Sequence, residues 1–383
     1  MSRPYRVLHA PTTVGGNPQG LSKALNSLGA CSWTLALQQN YFNYPADYVL
    51  WSESDGRLKR ELKRLFALIY VAFKYDVIHY NFGTTIAAAG YYRPSSSGIK
   101  SLFRWVYCNY LSLLQLLELK TYKALGKSLF LTYQGDDARQ GDYSRANFKF
   151  SIASQVDASY YSDLSDEWKR QSIARLTKYC DAIYAVNPDL LHVLPQRTKF
   201  VPYSHISLED WIPHYTQLEN RKLRIAHAPS HRNVKGTEFI LAALDKLQFE
   251  GFEFELVLVE GLGNNEAKKL YETADVVVDQ LFAGWYGGLA VEAMALGKPV
   301  LVYIRREDLK FIPSEMAADL PFINVDPESI EEGLRQVLMM PRHELLALAK
   351  RSRAYVERWH NPIKIASELM GDYDAARSRR GIS

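Results

Sequence analysis

Cysteine is scarce in this sequence of 383 residues, which contains only Cys31, Cys108 and Cys180, far apart from one another. No CxxC pair and no Cys/His cluster occurs, which argues against a zinc site. An odd, sparse set of cysteines also argues against a disulfide framework and fits a reducing compartment.

Long hydrophobic runs are also missing. The N-terminal residues include no apolar segment of the kind that secretory signals contain. The most apolar stretch, residues 102–119, is interrupted by Arg104, Asn109 and Glu118, which makes it too polar for an ordinary membrane-spanning helix. We therefore expect a cytoplasmic protein.

Several catalytic signatures are absent as well. The sequence has no HExxH, no GxSxG, no kinase-type set and no P-loop GK[ST], and no group of carboxylates and histidines has the spacing of metal ligands. We expect neither a protein-bound catalytic metal nor a resident cofactor.

The composition that is present is that of a globular protein, with 47% hydrophobic and 23% charged residues. The length favours two domains. The net charge of +4 is uneven: residues 1–203 hold 24 Lys/Arg against 15 Asp/Glu, and residues 204–383 hold 22 against 27. The basic first half favours an anionic partner, although chance combined with phosphate binding would give the same imbalance.

Strand-like and helix-like segments alternate in both halves of the chain. In the first half the predicted strands lie at residues 5–10, 76–80, 128–133, 182–186 and 199–202. The two longest predicted helices lie at residues 57–73 and 99–123. Residues 202–222 lose the periodicity and form the predicted linker, after which the alternation begins again. The pattern predicts two α/β domains with parallel sheets covered on both faces and ligands at the carboxyl ends of the strands.

The most specific segment is residues 274–300, which predicts a strand, a glycine-rich turn and a helix starting near Gly288. A helix start offers unpaired N–H groups and a positive dipole end to a phosphate, and Gly287 with Gly288 allows a ligand close to the backbone. Glu292, about one turn into the helix, is suited to accept two ribose hydroxyls. The alternative is an ordinary βαβ turn whose glutamate stabilises the helix dipole.

A second candidate segment, residues 224–237, carries Arg232 and Lys235 in the loop after a strand that ends at His227. Two cations at the carboxyl end of a strand are suited to neutralise a departing diphosphate. The alternative is that both are ordinary solvated side chains of a loop.

Polar residues also follow a strand of the first half that ends at Tyr133, namely Gln134, Gly135, Asp136 and Asp137. Carboxylates at this position are suited to orient sugar hydroxyls or to act as a base. A capped helix start would explain one aspartate but not the whole cluster.

The loop after the first strand contains Gly15 and Gly16. It lacks the spacing of the dinucleotide-binding fingerprint. Close approach of the backbone to a ligand and an ordinary turn both remain open.

Two predicted helices of the first half are rich in basic and aromatic residues. Residues 57–73 begin with five basic side chains, and residues 93–127 contain six basic residues against one acid, with Trp105 and three tyrosines. Such helices dock on anionic lipid, so the predicted partner of residues 57–73 and 99–127 is an anionic membrane surface. A core helix with a polar stripe is also consistent with the second of them.

Together these segments resemble, in the same order, those of GT-B glycosyltransferases, and especially the large retaining group called glycosyl transferases group 1, or family 4. The resemblance is carried by ADVVVDQLFAGWYGGLAVEAMALGKPV, HAPSHRNVKG, VGGNPQG and TYQGDD and spans most of the chain. It implies two Rossmann-like domains facing a cleft. Residues 1–203 would be the acceptor domain, 204–355 the nucleotide-sugar donor domain, and 356–383 a helix and tail that cross back to the first domain.

The resemblance also implies roles for single residues. Lys235 matches the lysine that contacts the donor diphosphate, while the family's arginine would fall at Ser230 and Arg232 is its candidate replacement. Glu292 matches the glutamate that binds ribose. The family's other glutamate, which holds the donor sugar, would fall at Gly284 and is absent.

Further positions match the family's donor and acceptor contacts. The turn whose amides meet the sugar or diphosphate corresponds to Tyr286, Gly287, Gly288 and Leu289. Gln134 stands where the family often has a histidine, and Gly16 matches the glycine loop. The candidates for catalysis are Arg232, Lys235 and Asp137; those for substrate binding are these positions together with Gly15, Gly135, Asp136, His227, Ser230 and Glu292.

The sequence and the resemblance together predict a metal-independent glycosyltransferase that moves a sugar from a nucleotide-diphosphate sugar to a glycan or lipid-linked acceptor, and the resemblance alone implies retention. The expected location is the cytoplasm or the inner face of the membrane, and nucleic acid is not an expected partner. Two alternatives remain: a sugar-nucleotide epimerase or hydrolase of the same fold, and a non-catalytic glycan-binding partner, which the missing glutamate at Gly284 motivates.

Overall fold

The computed structural model describes residues 5–11, 15–39, 44–92, 98–215 and 221–379. Three predicted features lie partly outside these residues: the first glycine loop, the linker, and the tail that follows the last helix. Arg93, which was counted with the second basic helix, also lies outside them.

The strands of the described residues are short and follow the chain from the N-terminus to residue 324. They are β1 (Arg6–His9), β2 (Cys31–Ala36), β3 (Tyr48–Val49), β4 (Val77–Asn81), β5 (Ser128–Tyr133), β6 (Ala182–Ala185), β7 (Lys199–Phe200), β8 (Leu223–His227), β9 (Phe254–Leu258), β10 (Val276–Val278), β11 (Val300–Val302) and β12 (Ile323–Asn324).

The α-helices of the described residues lie between the strands and after the last of them. They are α1 (Asn17–Ser27), α2 (Arg57–Lys74), α3 (Ile99–Ala124), α4 (Gly141–Asn147), α5 (Asp163–Thr177), α6 (Arg232–Lys235), α7 (Thr237–Phe249), α8 (Asn264–Thr273), α9 (Gly288–Ala295), α10 (Ser314–Ala318), α11 (Ile330–Met339), α12 (Arg342–Trp359) and α13 (Pro362–Ser378).

The chain divides into two compact units. The first comprises Met1–Gln140, Asp163–His205 and Pro362–Ser383, and the second comprises Gly141–Ser162 and Ile206–Asn361. The second unit thus takes in residues 141–162 as well as residues 206–361, whereas the sequence analysis expects domains at residues 1–203 and 204–355.

In the described part of the first unit, one parallel sheet has the strand order β3-β2-β1-β4-β5-β6-β7. The central strands β4 and β5 are buried along their whole length, including their polar residues His79 and Asn81, because helices cover both faces of a parallel sheet. The strand order reverses between β1 and β4. In doubly wound sheets the crevice for ligands opens at such a point, at the carboxyl ends of the strands.

The second unit contains a parallel sheet of the order β12-β11-β10-β8-β9 in the residues described. Its order reverses between β8 and β10, which are hydrogen-bonded neighbours. The loops that follow these two strands are therefore the ones that a ligand of this sheet would meet. Two parallel-sheet, Rossmann-like domains confirm the predicted fold class.

Residues 356–383, for which the resemblance implies one crossing helix and a tail, contain parts of two helices. α12 ends at Trp359 and α13 starts at Pro362. Proline has no N–H and clashes with the preceding turn, so a helix ends before it and a new one can begin with it. α13 belongs to the first unit, where the Tyr373 hydroxyl lies 2.6 Å from Nδ1 of His79 on β4.

Among the helices of the described residues, none combines the length and the apolar character that crossing a bilayer requires.

Candidate functional site

The switch point of the second sheet holds a buried ion pair. Lys235, at the end of α6, donates hydrogen bonds from Nζ to Oδ1 of Asp279 at 3.0 Å and to Oε1 of Gln280 at 2.7 Å. The lysine side chain is 12% exposed and the aspartate is fully buried just after β10. Burial of the pair holds the ammonium group in one place, since a buried carboxylate requires a compensating charge.

The same aspartate also holds the glycine turn. The N–H of Gly287 donates to Oδ2 of Asp279 at 2.7 Å. A Cβ at Gly287 would lie 3.3 Å from both Asp279 Oδ2 and Lys235 Nζ, so a side chain here would crowd the pair. Asp279 therefore fixes the lysine beside the turn that leads into α9.

The start of α9 presents free backbone donors. The helix begins at Gly288, no side chain caps it, and the N–H groups of Gly288 and Leu289 have no hydrogen-bond acceptor among the described residues. Unpaired amides and the positive end of the helix dipole form an anion site when a cation lies nearby. Glu292, one turn further along, is buried and accepts a hydrogen bond from Asn264 Nδ2 at 3.0 Å.

The loop after β8 carries the other predicted cation at the surface. Arg232 donates to Oε1 of Glu238 and of Glu260, each at 3.0 Å, and the adjacent Ser230 is exposed. Both glutamates are exposed partners, so the pairs are weak and the arginine can exchange them for an anionic ligand.

His227 is enclosed within the protein. Its Nδ1 lies 2.9 Å from the carbonyl oxygen of Val278, and its Nε2 lies 2.9 Å from the hydroxyl of Thr237. Burial lowers the pKa of His227 to about 4, so the ring is neutral at pH 7. Since the carbonyl only accepts, Nδ1 carries the proton and Nε2 accepts from Thr237. The histidine connects β8, β10 and the start of α7.

Tyr286 lies in the predicted donor turn, but its side chain is completely buried. Its hydroxyl lies 3.0 Å from the hydroxyl of Tyr355 and 2.8 Å from Nε2 of His360. The ring thus anchors the turn to α12. The part of Tyr286 that can meet a ligand at the turn is therefore its backbone and not its side chain.

Gly284 has a positive φ of 75°, and Arg305 fills the space beside it. A Cβ at Gly284 would lie 2.5 Å from Nη1 of Arg305. The guanidinium is buried, donates to Oδ2 of Asp308 at 2.8 Å and to the carbonyl oxygen of Phe150 at 3.1 Å. The cation of Arg305 therefore lies next to Gly284, the position at which the group that this sequence resembles has a glutamate.

Sequence reasoning missed Asp279, Gln280 and Arg305. Asp279 and Gln280 come directly after the apolar run 276–278, and polar residues at the carboxyl end of a strand are the signal that could have found them. Arg305 has no such local signal.

In the first unit, Asp137 closes the turn that follows β5. Its carboxylate accepts the N–H of Gln134 at 3.1 Å and the N–H of Gly135 at 2.6 Å. Burial raises the pKa of Asp137 to about 6, although these backbone donors act in the opposite direction. A carboxyl group with a pKa near neutrality is suited to proton transfer.

The neighbouring Asp136 is held by an arginine. Arg139 donates from Nη1 to Asp136 at 2.9 Å and from Nε to Asp189 at 2.8 Å. Asp189 is buried and lies in the 3₁₀ turn Pro188–His192.

The first glycine loop and the loop after β5 lie side by side. Asn17 Nδ2 donates to Oε1 of Gln134 at 3.3 Å, and a Cβ at Gly15 would lie 3.6 Å from the same oxygen. Asn187 Nδ2 donates to the carbonyl oxygen of Gln134 at 2.6 Å. A Cβ at Gly16 would lie 2.7 Å from the Tyr44 ring. The first unit therefore brings Gly15, Gly16 and residues 134–137 to one edge of its sheet.

We expect Asp137→Asn to change the pH dependence of stability. A carboxyl group whose pKa rises from 3.8 to about 6 on folding binds a proton preferentially in the folded state. Its stabilising contribution is complete below pH 3.8 and is lost as the pH rises through about 6. The free energy of unfolding of the wild type should therefore fall relative to that of the variant across this interval, measured by urea denaturation at several pH values.

The control for this experiment is Asp245→Asn, at an exposed position of α7. The free energy of unfolding of Asp245→Asn should change with pH as that of the wild type does between pH 3.8 and about 6. Parallel wild-type and Asp137→Asn curves would contradict a proton held preferentially by the folded state.

The described residues contain no cluster of three or more His, Cys, Asp or Glu side chains that could hold a metal ion. At the second switch point Lys235 supplies a positive charge, and the start of α9 supplies neutral N–H donors.

Two Rossmann-like domains of these topologies define the GT-B fold, and solved structures of GT-B glycosyltransferases match the chain over nearly its whole length. Sequence comparison finds no matching protein family and no matching curated protein.

Three of the similar structures show the extent of the match. Sucrose-phosphate synthase from Thermosynechococcus elongatus has a TM-score of 0.61 and 16% identity, with 98% of this chain and 100% of that chain covered. The catalytic domain of starch synthase IV from Arabidopsis thaliana, bound to ADP and acarbose, has a TM-score of 0.59 and 11% identity, covering 98% and 100%. HepE from Anabaena in complex with UDP-glucose has a TM-score of 0.57 and 11% identity, with 97% of this chain and 100% of that chain covered.

Proposed function

We propose that this protein transfers a sugar from a nucleotide-diphosphate sugar to an acceptor, with the donor bound at the β8/β10 switch point. The observation that carries the proposal is the pair of Lys235 with buried Asp279, which holds an ammonium group at the glycine turn before α9. The free N–H groups of Gly288 and Leu289 follow directly.

This arrangement suits the departure of a nucleoside diphosphate. Negative charge develops on the phosphate oxygens as the glycosidic bond breaks, and a fixed ammonium with fixed amides stabilises that charge without reorganisation. Arg232, at the exposed edge of the same loop, adds a second cation. We assign the charge stabilisation to these groups and to no metal ion.

The remaining donor contacts follow from the position of Glu292 on α9. Its carboxylate is buried one turn beyond the anion site and is suited to accept the two ribose hydroxyls of the nucleotide. Two neighbours of the same fold support a nucleotide ligand by analogy, since HepE was solved with UDP-glucose and starch synthase IV with ADP.

For the acceptor we propose the edge of the first sheet where Gly15, Gly16, Gln134 and Asp137 lie. The raised pKa of Asp137 suits it to receive or hold the proton of an acceptor hydroxyl. Glycines at the first loop let a ligand approach the backbone. We propose a glycan or lipid-linked acceptor and retention of configuration, the latter from the resemblance to the retaining group.

The test is thermal unfolding with UDP-, GDP-, ADP- and CDP-sugars. A ligand that binds the folded state raises its apparent stability, so at least one class should raise the melting temperature. Glu292→Gln should weaken binding of that ligand about 10-fold, because a charged acceptor is replaced by a neutral one, at about 1.5 kcal/mol.

Glu266→Gln, on an exposed position of α8, is the matched control and should bind as the wild type does. The proposal fails if no nucleotide sugar changes the melting temperature, or if Glu292→Gln and Glu266→Gln bind the ligand equally well.

A second candidate function is binding of the nucleotide sugar or a glycan without transfer. Arg305 favours it, because its buried guanidinium lies beside Gly284, the position at which the group that this sequence resembles has the glutamate that holds the donor sugar. Saturable nucleotide-sugar binding by calorimetry, with no release of nucleoside diphosphate in the presence of candidate acceptors, would support this function over transfer.

A further inference from the structure

Helix α2 carries a stripe of large apolar side chains that faces the solvent. These side chains recur at the spacing of one helix face, and Phe66 is 69% exposed. The stripe consists of Leu58, Leu62, Leu65, Phe66, Ile69, Tyr70 and Phe73. The opposite face of α2, which includes Leu68 and Val71, packs in the core of the first unit.

Helix α3 repeats the arrangement. Phe103 is 68% exposed, whereas Leu119 and Tyr122, on the opposite face, are buried in the core. The exposed apolar side chains at helical spacing are Ile99, Leu102, Phe103, Val106, Tyr110, Leu113 and Leu117. Trp105 is also half exposed.

The two helices are direct neighbours. Arg64 on α2 donates to the hydroxyl of Tyr107 on α3 at 3.2 Å, and both contact Glu61. The hydroxyl of Tyr110 lies 3.4 Å from the other oxygen of Glu61. The two stripes therefore belong to one surface, the α2–α3 face, defined by the exposed apolar side chains of both helices.

The two helices carry an excess of positive charge, although Asp55 pairs with Lys59 and Lys63 and Asp181 pairs with Lys123. Helices α2 and α3 contain ten Lys/Arg and two Glu, a balance of +8. Glu118 is buried and accepts the Tyr80 hydroxyl at 2.9 Å, and Glu61 pairs with Arg64. Neither acid therefore offsets the exposed cations Arg57, Lys100 and Lys120.

We propose that the α2–α3 face docks this protein on the surface of an anionic lipid bilayer. A helix with an apolar stripe and basic flanks lies in the interface with its apolar side chains among the acyl chains and its cations at the headgroups. Trp105, Tyr107 and Tyr110 add aromatic rings that favour this interface. Because none of the described helices suits a transmembrane path, the helices lie on the bilayer.

A second copy of the chain is a poorer occupant of this face. A symmetric dimer places the same surface patch of both chains in contact. Two basic faces would repel each other, whereas anionic headgroups are complementary to both the charge and the apolar stripe.

This inference does not depend on the assignment of the donor site. The experiment uses the full chain with sedimented vesicles of phosphatidylcholine, alone or mixed with phosphatidylglycerol. The wild type should bind the mixed vesicles at least about 10-fold more strongly, and added salt should weaken that binding because the charges are exposed.

The double variant Phe66→Ser/Phe103→Ser should lower partition into mixed vesicles about 10-fold or more, because two large apolar side chains no longer enter the interface. Phe249→Ser is the matched control, since Phe249 is 95% exposed on α7 of the second unit. All three proteins should show the same thermal unfolding without lipid, because the replaced side chains lie outside the core.

Equal binding of the wild type to both kinds of vesicle, or to neither, overturns the proposal. So does equal partition of the double variant and the wild type. A wild type that elutes as a dimer, with a monomeric double variant and no lipid binding, assigns the face to a second copy instead. Thermal shifts with nucleotide sugars on the same proteins report separately on the donor site.

Discussion

Lys235→Ala should reduce nucleotide-sugar turnover about 10- to 100-fold, because a charge-assisted contact to the leaving diphosphate contributes about 1.5–3 kcal/mol. The ammonium is already held by Asp279 and Gln280, so the wild type spends little entropy in positioning it. The measurement is the initial rate of nucleoside-diphosphate release with saturating acceptor, compared with the rate of Lys246→Ala. Lys246 pairs with Glu331 at the surface of α7 and is the matched control.

The same substitution should also destabilise the second unit. The carboxylate of Asp279 contacts both Lys235 and the N–H of Gly287. Without Lys235 it stays buried and keeps only the contact with Gly287 of these two. Loss of one partner of a buried ion pair costs about 3–5 kcal/mol. The free energy of unfolding of Lys235→Ala should fall accordingly.

The double variant Lys235→Ala/Asp279→Asn separates these two effects. Asparagine keeps an oxygen that can accept the N–H of Gly287 but carries no charge. The double variant should therefore recover much of the lost stability while its turnover stays low. If turnover returned together with stability, Lys235 would be a structural residue and its assigned role in binding the diphosphate would be wrong.

Gly20→Ala should have the largest effect on folding in the first unit. A Cβ at Gly20 on α1 would lie 1.9 Å from the carbonyl oxygen of Ser204 and 2.9 Å from Cα of His205. The clash involves backbone atoms, so no side chain can rotate to relieve it. Overpacking of this kind costs about 1–3 kcal/mol and more where the backbone must move, and we expect the upper part of this range.

The position of α1 also bears on the candidate acceptor site. Asn17 on the same helix accepts the N–H of Ser204 at 2.9 Å and donates to Gln134. Displacement of α1 by the new methyl group should therefore disturb the contact between the first glycine loop and the loop after β5.

Gly371→Ala on α13 is the control for this prediction. Apart from its own helix backbone and its two chain neighbours, no atom of the described residues lies within 4 Å of a Cβ at Gly371. Replacing glycine by alanine inside a helix stabilises by about 0.5–1 kcal/mol. Urea unfolding should thus give opposite signs for the two substitutions, and an unchanged stability of Gly20→Ala would contradict the close packing of α1 on residues 204–205.

Much of the fold followed from local patterns. The buried strand β10 is a continuous apolar run, β4 and β5 are rich in apolar residues, and α9 begins at the glycine where the sequence predicts it. β2 escaped prediction because CSWTLA mixes polar and apolar residues, and α5 because it buries Asp166 and Lys169 besides its few apolar residues. In both cases neighbouring elements, and not the segment's own periodicity, decide which side chains are covered.

The sequence by itself determined the α/β class, the glycine turn before α9 and the position of Lys235 in the connection that follows β8, because each depends on residues adjacent along the chain. Only the tertiary structure decided that Asp279 pairs with Lys235 and that Arg305 fills the space beside Gly284. These partners meet because the strand order brings separate loops to one edge of a sheet. The outward direction of the apolar stripes on α2 and α3 was also decided at this level, since an amphipathic pattern specifies two helix faces but not which one meets the core.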